Sequence, residues 1–195
     1  MRHVKRLKCT ICGAEYAAAR DRYTCERCGG VGTLDVLYDL EAAAQAFNRA
    51  ALAANPDRSM WRYRALLPIA QDAALPPLKI GGTPLYDAPR LAESIGLRRV
   101  WVKDDGQNPT GSLKDRASAV AVVVGRSFGA ETVTTASTGN AGAALAGVAA
   151  ACGMPAVIFA PATAPEAKIA QLLVYGARVV LVRGTYSQTF DLCAE

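Results

Sequence analysis

The sequence lacks the marks of several protein classes at once. It has no low-complexity tract and no sustained internal repeat, which excludes arrays and solenoids. Its charged fraction of 20% is mixed in sign and accompanies 51% hydrophobic residues, a composition that folds and does not stay disordered. The basic start Met1–Lys8 is not followed by an apolar core with a small-residue cleavage site, so no secretory signal is read and a cytoplasmic address is expected. Charge is missing altogether from Thr132 to Pro165. A membrane span is nevertheless excluded there, because Ser137, Thr138, Asn140, Gly142, Gly153, Pro155 and Pro161 break the stretch into strand, turn, helix and strand of a buried α/β core.

What is present is enough chain, 195 residues, for one ordinary domain with a small appendage. The net charge is +5, and before Gly29 seven basic side chains (Arg2, Lys5, Arg6, Lys8, Arg20, Arg22, Arg27) stand against three acidic ones (Glu15, Asp21, Glu26). Four thiolates and a divalent ion in the same segment would bring that patch to about +2, so no nucleic-acid partner is expected.

The thiolates in question are Cys9 and Cys12, then Cys25 and Cys28, each Cys-X-X-Cys pair followed at once by glycine, Gly13 or Gly29. Two intervening residues let both sulfurs of a pair face one tetrahedral ion, and glycine lets the backbone turn so that its amides face the sulfurs. A zinc ribbon over residues 1–38 is the expectation, with strands around Tyr16, Tyr23 and Leu34–Tyr38 and a structural zinc replacing a core that so short a segment cannot build. Four cysteine ligands leave no open coordination position for chemistry. A disulfide framework suits a cytosolic setting poorly, and a redox pair would not come as two matched copies. Cys152 and Cys193 sit alone in apolar runs and read as small buried hydrophobes.

Residues 39–195 read as the second domain. Asp39 can cap a helix from Glu41 to Ala54 that Asn55-Pro56 stops. The segment Trp61-Arg62-Tyr63-Arg64 with Leu66-Leu67-Pro68 could pack on the main domain, and Gly81-Gly82-Thr83-Pro84-Leu85 marks a turn into a strand. Strands are then expected near 100–103, 132–135, 156–160 and 178–182, and helices near 113–126, 141–152, 166–175 and 187–195. This alternation predicts an α/β fold, a parallel sheet covered by helices, with ligands bound where strands end and helices begin.

Two such connections are rich in small and polar residues. In Asn108-Pro109-Thr110-Gly111-Ser112-Leu113-Lys114-Asp115-Arg116 the proline and glycine set a tight turn, Ser112 with Asp115 matches a capping box, and Lys114 falls in the first helical turn. The positive helix end disfavours its ammonium by only about 0.3–1 kcal/mol, so burial in a pocket would have to supply most of the activation of a nucleophilic lysine. Standing alone, Lys114 would be a surface lysine. The second connection, Ser137-Thr138-Gly139-Asn140-Ala141-Gly142, joins a strand to a helix N-terminus, where free amides and hydroxyls suit a carboxylate. It lacks Gly-X-Gly-X-X-Gly and a following ribose-binding acid, which excludes a dinucleotide site.

These two loops resemble the lysine loop and the asparagine loop of fold-type II pyridoxal-phosphate enzymes, and within them the threonine synthases match best. The resemblance takes in the cysteine-rich start, the Trp61–Arg64 segment, the Gly81–Leu85 turn, and Lys168-X-X-Gln171 leading to Tyr175-Gly176-Ala177. It implies that Lys114 holds pyridoxal 5'-phosphate as a Schiff base and then moves protons. It also implies that Asn140 hydrogen-bonds the cofactor's phenolic oxygen, and that Ser137, Thr138 and Gly139 hold the carboxylate of a small amino-acid substrate. The implied reaction is a lyase converting O-phospho-L-homoserine and water to L-threonine and phosphate; threonine dehydratase or cysteate synthase would share both loops. Leu113 and Ala117 replace the family's usual phenylalanine and glycine and keep apolar or small character. Family members are about twice this size, so the chain reads as an N-terminal portion without the glycine-rich phosphate loop or the partner of the pyridine nitrogen, and a homodimer is the assembly to seek at full length. The reading from another class is a non-catalytic zinc-ribbon protein that binds a macromolecule through its basic start.

Overall fold

The computed structural model describes residues 3–19 and 22–195, so Arg2, Arg20 and Asp21 of the basic segment lie outside the described residues. The chain forms two compact units, Met1–Ala73 and Ala74–Glu195. The first therefore extends well beyond the cysteine segment.

The first unit is built on an antiparallel sheet of order β2-β1-β3, with β1 at Val4–Cys9, β2 at Glu15–Tyr16 and β3 at Leu34–Tyr38. Sequence reading places no strand at β1, and the reason is visible in the pairing. The register slips between Val4 and Arg6, so Lys5 and Arg6 are both exposed and the inside-outside alternation is broken by a bulge. The strand expected around Tyr23 is absent: Tyr23 is exposed and nearby only Cys25 and Gly29 form an isolated bridge.

The helix expected over 41–54 is two helices, α1 (Leu40–Ala46) and α2 (Arg49–Ala54). Asp39 caps the first as expected, accepting from Ala42 N at 3.0 Å, but Asn48 has extended backbone and caps the second through Ala51 N at 3.0 Å. A side chain that satisfies the amides of a new helix breaks the old one. A 3-10 helix, Met60–Leu66, follows with Met60 and Trp61 buried. It is tied within its own unit: the Tyr63 ring meets Phe47 edge-on at 6.0 Å, Arg62 Nη2 donates to Leu52 O at 2.5 Å, and Arg64 Nη2 donates to Ala70 O and Ala73 O at 3.1 and 2.9 Å.

The second unit opens with two three-residue strands, β4 (Leu85–Asp87) and β5 (Trp101–Lys103), paired antiparallel around the short helix α3 (Pro89–Ser94). The strand expected near 100–103 thus exists but lies outside the parallel sheet, because Leu85–Asp87 satisfies its backbone instead. The parallel sheet has the order β6-β7-β8, formed by Val133–Ala136, Ala156–Pro161 and Arg178–Val182. Thr135, Ile158 and Val179 lie in register on the face where α5 (Asn140–Ala151) packs, since Ile158 touches Gly142. Thr134 faces the other way and meets Cys193 of α7 (Tyr186–Ala194) at 3.4 Å. With α6 (Glu166–Val174) packed on α5 and β8, the sheet has helices on both faces, as the alternation predicts.

Helix α4 (Lys114–Ser127) buries Asp115, Ser118, Ala119, Val122 and Val123, the i, i+3, i+4, i+7, i+8 stripe of one helical face. Helix α5 is buried nearly all round and built almost wholly of small residues. It accounts for much of the charge-free stretch, and among the described residues no helix is long and apolar enough to cross a membrane. Cys152 and Cys193 are half-buried where full burial is expected, since one ends α5 and the other lies in the last turn of α7.

Candidate functional site

The cysteines come together as their spacing predicts. The Sγ atoms of Cys9, Cys12, Cys25 and Cys28 all lie within 4.8 Å of one another. A zinc–sulfur distance of about 2.3 Å requires tetrahedral edges of about 3.8 Å, so the donor set fits one zinc ion. Cys9 ends β1, and both glycines after the pairs adopt positive φ, 71° at Gly13 and 62° at Gly29, where each amide closes back on the first cysteine's carbonyl. Gly32 is required for another reason: a Cβ there would lie 2.5 Å from Cys25 Cβ and 2.8 Å from Cys28 Cβ. The Tyr16 hydroxyl, 3.1 Å from Cys25 Sγ, brings that thiol down to about 6, while hydrogen bonding with Cys12 keeps the proton on Cys28, pushed up to about 12.

The lysine loop is held by a network that sequence reading missed. The Asp105 carboxylate accepts from Arg116 Nε at 2.9 Å, Arg116 Nη2 at 2.8 Å and the Thr83 hydroxyl at 2.6 Å. Arg116 and Thr83 together hold the Asp105 carboxyl well below the usual carboxylate range. Asn108 adds a second tie, accepting from Gly81 N at 2.9 Å and donating to Asp105 O at 2.9 Å. The turn Gly81-Gly82-Thr83 and the start of α4 are thereby fixed to each other.

The expected capping box does not form. Ser112 Oγ accepts from Lys114 N at 3.3 Å, and the fully buried Asp115 carboxylate accepts from Thr110 N at 2.8 Å and from the Thr110 hydroxyl. Two donors on one nearby residue serve Asp115 better than the single amide of a box. Lys114 is the first residue of α4, and its side chain is exposed. The burial expected to activate it is not supplied by residues 3–19 and 22–195.

The second loop joins β6 to α5. Ser137 is buried, its backbone continues the sheet by donating to Phe159 O at 2.9 Å, and its hydroxyl accepts from Gly139 N at 3.2 Å. No side chain caps α5, so its first-turn amides have no side-chain acceptor, and a Cβ added at Gly139 would meet nothing within 4 Å. Thr138 and Gly139 are half-buried. Asn140 is exposed, and its Oδ1 accepts from Lys168 Nζ at 3.2 Å, which makes its amide nitrogen the free donor.

The two loops are joined through α4 and α5, which pack on each other. Thr110 of the lysine loop presses on Gly147, one methyl group from collision. An exposed amine starts α4, and the start of α5 has small residues, no side-chain cap and an amide held by Lys168.

Residues 77–195 match the family model described as pyridoxal-phosphate dependent enzyme. The chain is 41% identical over 187 residues to a threonine synthase of Methanosarcina acetivorans, covering 95% of this chain and 44% of that protein. It is 36% identical over 189 residues to a threonine synthase of Methanocaldococcus jannaschii, covering 96% and 46%. Among solved structures, the processed form of threonine deaminase isoform 2 from Solanum lycopersicum superposes with a TM-score of 0.53 over 80% of this chain and 37% of that one, at 23% identity, a likeness of fold. The chain spans less than half the length of these relatives.

Proposed function

We propose that this chain, which belongs to the pyridoxal-phosphate-dependent enzyme family, is the N-terminal portion of a threonine synthase that converts O-phospho-L-homoserine and water to L-threonine and phosphate. The observation that carries the choice of reaction is the 41% identity to a threonine synthase across 95% of the chain, cysteine segment included. In this reading residues 1–38 form a zinc ribbon and 39–195 half of the catalytic domain, in a cytoplasmic enzyme that is a homodimer at full length.

When bound, pyridoxal 5'-phosphate supplies an electron sink for a carbanion on the substrate. The chain's own residues do the rest. Lys114 would hold the cofactor through its amine and would be the group that moves protons at the substrate's α and β carbons. Asn140 would offer its amide N–H to the cofactor's phenolic oxygen, since Lys168 occupies its amide oxygen. The substrate carboxylate is received by the Ser137 and Thr138 hydroxyls and the free amides at the start of α5, with Gly139 leaving room for it. Asp105, Arg116 and Asn108 position the loop that carries Lys114 and need not touch the substrate. The four cysteines hold a structural zinc.

The test is the full-length protein given O-phospho-L-homoserine. Phosphate and threonine should appear in equal amounts, and Lys114→Ala should abolish both. Conversion of threonine to its oxo acid with no phosphate release from O-phospho-L-homoserine would replace the synthase by a dehydratase.

A further inference from the structure

The loop from Ser137 to Asn140 has little to hold it from within. Among the described residues its one internal side-chain bond is that of Ser137 Oγ with Gly139 N at 3.2 Å, and the helix start that follows has no side-chain cap. A Cβ at Gly139 would meet open space, so packing does not fix the middle of the loop either. A segment with so few contacts opens easily unless groups outside it hold its ends.

Two side chains from later crossovers of the sheet reach those ends. The peptide joining Ala136 to Ser137 is trans, so while the Ser137 amide donates to Phe159 O in β7, the Ala136 carbonyl points away from that strand. The Tyr186 hydroxyl donates to this carbonyl at 3.2 Å. Tyr186 is the first residue of α7, and the Thr185–Gln188 capping box fixes the backbone from which it reaches. At the other end of the loop, Lys168 in the first turn of α6 donates to Asn140 Oδ1 at 3.2 Å. An ammonium carries donors only, so this bond admits one of the two orientations of the Asn140 amide. The two are not equivalent toward a ring oxygen, because the amide N–H donates to it while the amide oxygen would set two acceptors face to face.

We propose that Tyr186 and Lys168 are positioning residues for this loop: Tyr186 sets where it leaves β6, and Lys168 sets which side of the Asn140 amide is offered to the cofactor. Both act through the loop and neither needs to touch the reacting atoms. The proposal rests on the pairing of Asn140 with pyridoxal 5'-phosphate in the reading above.

The test uses the full-length protein and three variants. Tyr186→Phe removes only the hydroxyl, Lys168→Met keeps the length and helix propensity of lysine without its donor, and Lys168→Arg restores a cation that can only donate. Hydrogen–deuterium exchange without cofactor reads the loop, and titration with pyridoxal 5'-phosphate, followed by its visible absorption, reads the site. Tyr186→Phe should speed amide exchange at residues 137–143, and both Tyr186→Phe and Lys168→Met should weaken cofactor binding about threefold to tenfold, with Lys168→Arg close to the parent. Lys168→Met should also change the shape of the cofactor's visible band, since the ring oxygen loses an aligned donor, a change that a merely structural lysine would not cause. Faster exchange spread through α4 and β7 would mean general loosening and would overturn the positioning role. A parent that binds no pyridoxal 5'-phosphate would overturn the cofactor reading and this proposal with it. A parent that binds it, with either Tyr186→Phe or Lys168→Met equal to it in every readout, would overturn this proposal alone.

Discussion

Adding a single methyl group at position 147 tests whether the lysine loop is held against α5 by steric contact. A Cβ on Gly147 would lie 2.6 Å from Thr110 Cγ2 and 3.6 Å from the Tyr175 ring. Ordinary carbon contacts begin at about 3.5 Å, so the Thr110 methyl must retreat by about 1 Å. It is not free to do so, because both its amide and its hydroxyl are bonded to Asp115, which is fully buried. Overpacking of this kind costs about 1–3 kcal/mol, against which alanine's higher helix propensity returns up to about 1 kcal/mol. Gly147→Ala should therefore destabilise the chain by about 1–2 kcal/mol in urea unfolding followed by circular dichroism. Thr110→Ser keeps the hydroxyl and removes the methyl, so the double substitution should recover at least about 1 kcal/mol as a coupling energy. A Gly147→Ala chain as stable as its parent, or an equal cost with and without Thr110→Ser, would refute the steric argument.

Metal analysis should find one zinc per chain, and Cys25→Ser or a chelator should remove it and loosen the antiparallel sheet, seen as faster amide exchange across β1 and β3. Gly32→Ala forces Cys25 and Cys28 apart and should weaken zinc binding about tenfold or more in a competition titration, while Gly30→Ala, with open space around its Cβ, should leave it unchanged. Asp105→Asn should cost about 1–2 kcal/mol at neutral pH, since Arg116 loses a charged partner. Because the folded-state pKa of Asp105 is depressed, its contribution is complete above the unfolded value of about 4 and is lost as pH falls through the lower folded value. Unfolding measured between neutral pH and acid should accordingly show a smaller acid loss in the Asn variant, and identical pH profiles would count against the ion pair.

Much of the second unit was legible because its signals are local. The stripe from Asp115 to Val123 sets the buried face of α4, and the small residues before α5 mark a loop that a ligand can approach. Strand β8 falls at 178–182 as its apolar run predicts. What escaped depends on partners distant in sequence or on a broken period. Thr83 and Arg116 meet across 33 positions, and nothing in either neighbourhood announces the carboxylate of Asp105 between them. The bulge in β1 disguised a strand, and Asn48 turned one helix into two. Ser112 and Asp115 have the right residue types for a capping box, but Thr110 offers Asp115 two donors. The exposure of Lys114 was invisible for a different reason: a lysine in a first helical turn has the same sequence pattern whether or not a pocket closes over it.

Helix α5 has a consequence for how this protein can vary. A Cβ at Gly142 would lie 3.2–3.4 Å from Ile158 and Ser137, one at Gly147 would collide with Thr110, and the alanines from 143 to 146 and at 149 lie against walls with almost no exposure. In a saturation library the tolerated side-chain volume should fall abruptly after the exposed Asn140 and recover at Ala150, which also faces solvent. Neutral drift is thus funnelled to the outer surfaces, and the helix behind the Ser137–Gly139 turn changes only when several neighbours change together.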